Sequence, residues 1–258
     1  MVMGEESSDR FWELDLLRGV AVIMMVIFHF LYDLSYFGDC NLNVHYGFWW
    51  YFARVTATIF ILLVGISLSL SYSRIEELGM SRRGRITKYA KRGLKVFLWG
   101  LVVTVVTWIF LRDGFIIFGV LHFIGISIIL SYPFIKHRYS NLVLGTVMIA
   151  IGLSLRDLTF DSYFLIWLGF RPEYFYTFDY FPILPWFGVV LIGLFIGNSL
   201  YDGQKRKFDL FDLTENTLVR PLSFLGRHSL FIYLIHQPVL VATLYLLGVV
   251  GSNFFAIS

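Results

Sequence analysis

Residues 13–36 read ELDLLRGVAVIMMVIFHFLYDLSY. The segment opens on charge, with Glu13, Asp15 and Arg18, then runs through ten uncharged residues, 19–28, before His29 and Asp33. Leu, Val, Ile, Met and Phe dominate it and no proline interrupts it, the pattern of a helix that spans a bilayer. On such a helix His29 and Asp33 stand four residues apart on one face, about 6 Å from each other. Asp15 and Val22 lie on that face too. At 1.5 Å per residue, His29 sits roughly 21 Å beyond Asp15, and Asp33 roughly 27 Å. An imidazole within the span and a carboxylate near its far end are expensive in hydrocarbon, so function is the default reading of both.

The rest of the chain has the same character. Of 258 residues, 57% are hydrophobic and only 15% charged, with a mean hydropathy of +0.71; soluble domains carry about a quarter charged residues. These values predict an all-α, polytopic transmembrane bundle forming a single domain over residues 1–258, because a β-barrel would show short alternating segments instead. About seven spans are predicted, at 15–37, 47–71, 93–111, 115–135, 140–155, 182–200 and 228–250, with a further apolar patch at 163–170 that is interfacial or re-entrant. The first nine residues carry Glu5, Glu6 and Asp9 and no Lys or Arg, so no cleavable signal is expected and the first run stays as an anchor. Cys40 is the only cysteine, which excludes an internal disulfide.

Basic residues orient the bundle. Arg74, Arg82, Arg83, Arg85, Lys88, Lys91, Arg92 and Lys95 follow the second span, Lys136 and Arg138 the fourth, and Lys205, Arg206, Lys207, Arg220 and Arg227 the sixth. Arg10 and Arg18 flank the first. The opposite side receives only Arg112, Arg156 and Arg171, with Asp157, Asp161, Glu173 and Asp179. The positive-inside rule predicts a cytoplasmic N-terminus and an external C-terminus, in a multi-pass protein of the cell membrane. The stretch 82–95 reads as a topology signal and a contact for anionic lipid. The aromatic-rich segment 156–181 reads either as an interfacial belt or as a lid over an outward cavity. Gly193 and Gly197 form a small-xxx-small pair suited to close helix packing.

Several polar residues stand where apolar ones are expected. His29 with Asp33 reads as a structural pair, as a proton relay, or as a general base with a carboxylate that holds its tautomer. Arg54 needs a counter-charge, Asp33 or Asp39, and serves either a salt bridge or an anion site. His122 is a core histidine or a functional one. His236 and Gln237 interrupt the last apolar run just before Pro238, which frees a backbone carbonyl, and structural and functional readings are balanced. His45 falls in the first external loop. A Gly-rich phosphate loop, CxxC, HExxH and GxSxG are all absent. These residues leave acyl transfer and proton-coupled transport both open, with a non-catalytic scaffold as a third class.

The segments ELDLLRGVAVIMMVIFHFLYDLSYFG, GVLHFIGIS, LPWFGVVLIGLFIG and LGRHSLFIYLIHQPV resemble the small prokaryotic relatives of the heparan-α-glucosaminide N-acetyltransferase catalytic domain. The likeness runs over residues 13–241, and YLIHQPV is shared loosely with the wider acyltransferase-3 group. The resemblance implies a membrane acyltransferase that passes an acetyl or acyl group from a cytosolic acyl-CoA to an amine or hydroxyl of a sugar-like acceptor outside, without a metal. It matches an Asp-x-x-Arg-Gly opening to Asp15, Arg18 and Gly19. It places the family's catalytic histidine on or beside His45; the lysosomal enzyme has an asparagine in the place of His29, while the acyltransferase-3 group carries a first-span histidine matching His29. The catalytic candidates are therefore His29, Asp33 and His45, with either histidine as the base, and His29 is favoured because Asp33 stands on its face and can orient it. The cofactor-binding candidates are Asp15, Arg18, Arg54, His122, Trp186, His236 and Gln237; acyl transfer needs donors for the oxyanion of the tetrahedral intermediate, and Arg54, His122 or the His236–Gln237 pair are the candidates for that role. Expected partners are membrane lipid, acyl-CoA and a sugar or glycolipid-like acceptor, with no nucleic acid and with a homodimer as an option.

Overall fold

The computed structural model describes residues 11–38, 42–111, 113–156, 158–160, 163–203 and 205–250. Among the positions singled out above, Glu5, Glu6, Asp9, Arg10, Asp39, Cys40, Arg112, Asp157 and Asp161 lie outside the described residues. The helices are α1 (Trp12–Phe37), α2 (Gly47–Glu77), α3 (Arg82–Leu111), α4 (Val120–Leu130), α5 (Tyr139–Ser154), α6 (Ile183–Leu200), α7 (Val219–Arg227) and α8 (Ser229–Leu246). A minimal hairpin, Tyr201–Asp202 against Lys205–Arg206, follows α6. Among the described residues five helices, α1, α2, α3, α6 and α8, are long and apolar enough to cross a membrane. The predicted spans at 115–135 and 140–155 correspond to the shorter apolar helices α4 and α5.

Two boundaries differ from the sequence reading. The basic connection after the second span is helical almost throughout, because Arg, Lys, Glu, Leu and Ile are good helix formers. Only residues 78–81 turn. Gly79 takes φ +70 there, its N–H donates to the Glu76 carbonyl, and the Met80 N–H donates to Ile75. That is a Schellman ending, which a glycine in the left-handed region completes without strain. The last run also divides, with α7 standing as a separate helix before α8.

The chain forms two compact units: Met1–Phe60 with Asp209–Ser258, and Ile61–Phe208. In the first, α1 packs against α7 and α8. The crossing of α1 and α7 is a glycine contact. A methyl group on Gly19 would collide with the Leu222 carbonyl, and one on Gly226 with the Asp15 carbonyl. In the second unit α3 packs on α4 and α5 on α6. The small-residue pair behaves as expected, since Gly193 and Gly197 face Leu62, Gly65, Ile66 and Ser69 of α2. Residues 163–181 form a folded cap: Tyr180 Oη donates to the Ile166 carbonyl at 2.7 Å and Thr177 Oγ1 to that of Phe115 at 2.8 Å. Burial pushes the Tyr180 phenol up to about 12, so it stays a neutral donor. Phe164 and Tyr174 on the same segment are 86% and 87% exposed.

Candidate functional site

The polar residues of α1 converge on α8. His29 and His236 meet edge to face, ring centroids 4.8 Å apart. His29 Nδ1 lies 2.9 Å from the Met25 carbonyl, and His236 Nδ1 lies 2.7 Å from that of Tyr233. A carbonyl oxygen only accepts, so in each neutral ring the proton sits on Nδ1 and the lone pair on Nε2. Each helix therefore sets the tautomer of its own histidine, and both rings present a base. His236 is buried, and its Nε2 has no hydrogen-bond partner among the described residues.

Asp33 is only 2% exposed. Its Oδ1 accepts an N–H from Gln237 at 2.7 Å, across 204 residues of chain. Here the structure corrects the expected geometry: Asp33 is engaged by Gln237, and the Met25 carbonyl orients His29. The physical reason is the helix itself, which offers an imidazole a carbonyl four residues back. Asp33 Oδ2 and Gln237 Oε1 remain without partners among the described residues. Together with the two Nε2 atoms, they make a cluster of acceptors that a ligand carrying N–H or O–H groups would satisfy.

At the N-terminal end of α1, Asp15 is buried and forms an ion pair with Arg18. The following Gly19 is the crossing point with α7, so the Asp-x-x-Arg-Gly opening combines a charge pair with a close approach. His45 is exposed and its ring meets Tyr32 of α1 edge to face at 5.6 Å. Arg54 stands over the Trp50 ring at 5.2 Å. Asp33 is bonded to Gln237, and Asp39 is outside the described residues.

His122 and Trp186 belong to the other unit. His122 Nδ1 accepts the Gly119 N–H at 3.3 Å, and Nε2 faces Thr104 Oγ1 at 3.4 Å. Its ring therefore carries the opposite tautomer and caps the start of α4, between Phe97 and Phe118. The Asp179 carboxylate accepts the Val120 N–H at the same helix end, where a negative charge complements the helix dipole. Trp186 is buried against Phe181. Among the described residues no group of three or more His, Cys, Asp or Glu is placed to hold a metal ion.

The meeting of His29 with His236 has no local sequence signal, since it depends on how α1 and α8 pair. The structure also adds a feature the sequence reading passed over, an outward face of α7 bearing Arg220, Phe224 and Arg227. Its only trace in sequence is their i, i+4, i+7 spacing.

No curated protein and no solved structure matches the chain. A family model described as heparan-alpha-glucosaminide N-acetyltransferase, catalytic, matches residues 10–238. That range takes in the Asp15–Arg18–Gly19 opening, the His29–Asp33 face and the His236–Gln237 pair alike, and the chain belongs to this family.

Proposed function

We propose that the protein is a multi-pass acyltransferase of the cell membrane, with seven spans and a cytoplasmic N-terminus. It moves an acetyl or acyl group from cytosolic acyl-CoA to an amine or hydroxyl of an extracytoplasmic, sugar-like acceptor. Family membership supports the class of reaction. The observation that carries the residue assignment is the His29 tautomer, fixed by Met25 and leaving Nε2 as a base beside His236.

His29 takes the proton from the attacking N–H or O–H as the new bond to the acyl carbon forms. It returns that proton to sulfur as the C–S bond breaks, so free CoA and the acylated acceptor leave with no net change in the enzyme. His236, which accepts but cannot donate at Nε2 while neutral, belongs on the side of the acceptor and not at the developing oxyanion. Gln237 spends one amide N–H on Asp33 and keeps that carboxylate in place. His45 is the alternative base; its exposed position by Tyr32 suits a role at the entrance for the acceptor.

Detergent-purified protein incubated with acetyl-CoA and an amine acceptor tests the proposal. Wild type should consume thioester with saturation, and His29→Ala should lose at least about 100-fold of that rate, the lower range of general-base catalysis. Full activity in His29→Ala, with loss in His45→Ala, would move the base to His45. Absence of thioester loss in folded wild type, with proton-linked solute uptake into proteoliposomes, would replace the transferase by a transporter.

A further inference from the structure

Helix α7 carries an exposed cleft in the same unit as the histidine pair. Val219, Ser223 and Gly226 are buried, while Arg220, Pro221, Phe224 and Arg227 line an open cleft of about 440 Å³. That volume falls within the range of small-ligand pockets. Arg220, Phe224 and Arg227 are spaced i, i+4, i+7, so two guanidinium groups flank one aromatic ring on a single face. Neither arginine forms an ion pair with a described residue, and both are exposed. Phe224 is 54% exposed and is held from behind by His228, whose ring stands 4.3 Å away and whose Nδ1 bonds the Phe224 carbonyl at 2.9 Å. The glycine crossing at Gly19 and Gly226 fixes this face outward.

We propose that this cleft binds the phosphorylated adenosine end of the acyl-CoA donor. The inference rests on the acyltransferase reading and gives its donor an address. Guanidinium groups match phosphate oxygens in paired hydrogen bonds, and an aromatic face between them stacks a base. Length decides that the donor fits. The crossing point Gly19 precedes His29 by ten residues, a rise of about 15 Å along α1. A pantetheine arm has about thirteen bonds from phosphorus to sulfur, and at the reach of an extended peptide backbone it spans roughly 15 Å. Phosphates seated on α7 therefore deliver the thioester to the level of the histidine pair. Arg18 on α1 is committed to its ion pair with Asp15.

The test measures acetyl-CoA turnover and adenosine 3′,5′-bisphosphate binding by protein in nanodiscs, wild type beside R220Q/R227Q. Both substitutions are on exposed side chains, and thermal unfolding confirms the fold. The double variant should raise the KM for acetyl-CoA by about 100-fold, a factor of ten for each guanidinium–phosphate hydrogen bond removed. Its kcat should change less than about twofold, since phosphates far from the thioester are held equally in the ground and transition states. Arg-to-Lys replacement at both positions should recover part of the affinity, and adenosine 3′,5′-bisphosphate should compete with acetyl-CoA in wild type. A double variant with the KM of an active wild type would overturn the α7 site and leave the transferase standing. A variant that keeps its acetyl-CoA affinity but loses anionic lipid, read by native mass spectrometry, would give the cleft to a lipid phosphate and overturn the proposal. No turnover and no nucleotide binding in folded wild type would remove both readings.

Discussion

Asp33 is a buried carboxylate tied to the last helix. Its carboxylate has one oxygen on Gln237 and the other without a partner among the described residues. Truncating Gln237 would strand a buried acceptor, which costs about 1–3 kcal/mol. Gln237→Ala should accordingly lower the unfolding midpoint. Asp33→Asn behaves differently. The new amide can donate to Gln237 Oε1, removing the charge while satisfying an orphaned oxygen, so stability should hold or rise. If the carboxylate stabilises a protonated histidine during turnover, the same variant should lose activity. Thermal melts set beside acetyl-transfer rates separate the two roles. An Asp33→Asn protein with wild-type rates would leave Asp33 as packing only.

The elements themselves are governed by close approach. Gly19 and Gly226 bring the backbones of α1 and α7 into direct contact, and a Cβ on either would meet a carbonyl of the other helix. Overpacking of this kind costs about 1–3 kcal/mol where side chains can yield, and here only backbone is available to move. Gly19→Ala and Gly226→Ala should each destabilise by at least that amount. The pair should be less than additive, because both enlarge one contact. A Gly19→Ala protein as stable as wild type, in a thermal melt, would mean that the helices do not cross there. The apolar runs made α1, α2, α3, α6 and α8 legible in the sequence, because a span declares itself by length and hydropathy. α7 was not legible: VRPLSFLGR mixes basic and apolar residues and reads as a charged connection. At the site, His29, Asp33, His236 and Gln237 stood out as misplaced polar residues. Their pairing did not, since Gln237 reaches Asp33 across 204 residues and the nearer partner for His29 on paper was Asp33. Tautomers are set by Met25 and Tyr233 carbonyls, which no residue type announces.

For the whole molecule, the proposed seven spans require α4 and α5 to cross the bilayer; a re-entrant pair would make five. Only the turn between them distinguishes the cases. That turn carries Lys136, whose Nζ lies 2.6 Å from Glu76 Oε1 near the end of α2. The Glu76 carboxylate holds the Lys136 ammonium above its ordinary range. Arg138 Nε donates to Ser199 near the end of α6 at 2.9 Å. Glu76 adjoins the turn at 78–81, which is cytoplasmic in the proposed topology. At its other end α4 begins at the cap that holds Tyr180 and Asp179. Helix α4 rises about 16 Å and the 3₁₀ turn Tyr132–Phe134 about 6 Å more, short of the roughly 30 Å hydrocarbon core, so a crossing by this pair requires local thinning of the bilayer. In a Cys40→Ser background, Tyr174→Cys should react with an impermeant maleimide on intact cells. Ser81→Cys and His137→Cys should react only after permeabilisation. His137→Cys labelled from outside, or in neither condition while Ser81→Cys responds, would make α4 and α5 a re-entrant pair and reduce the count to five.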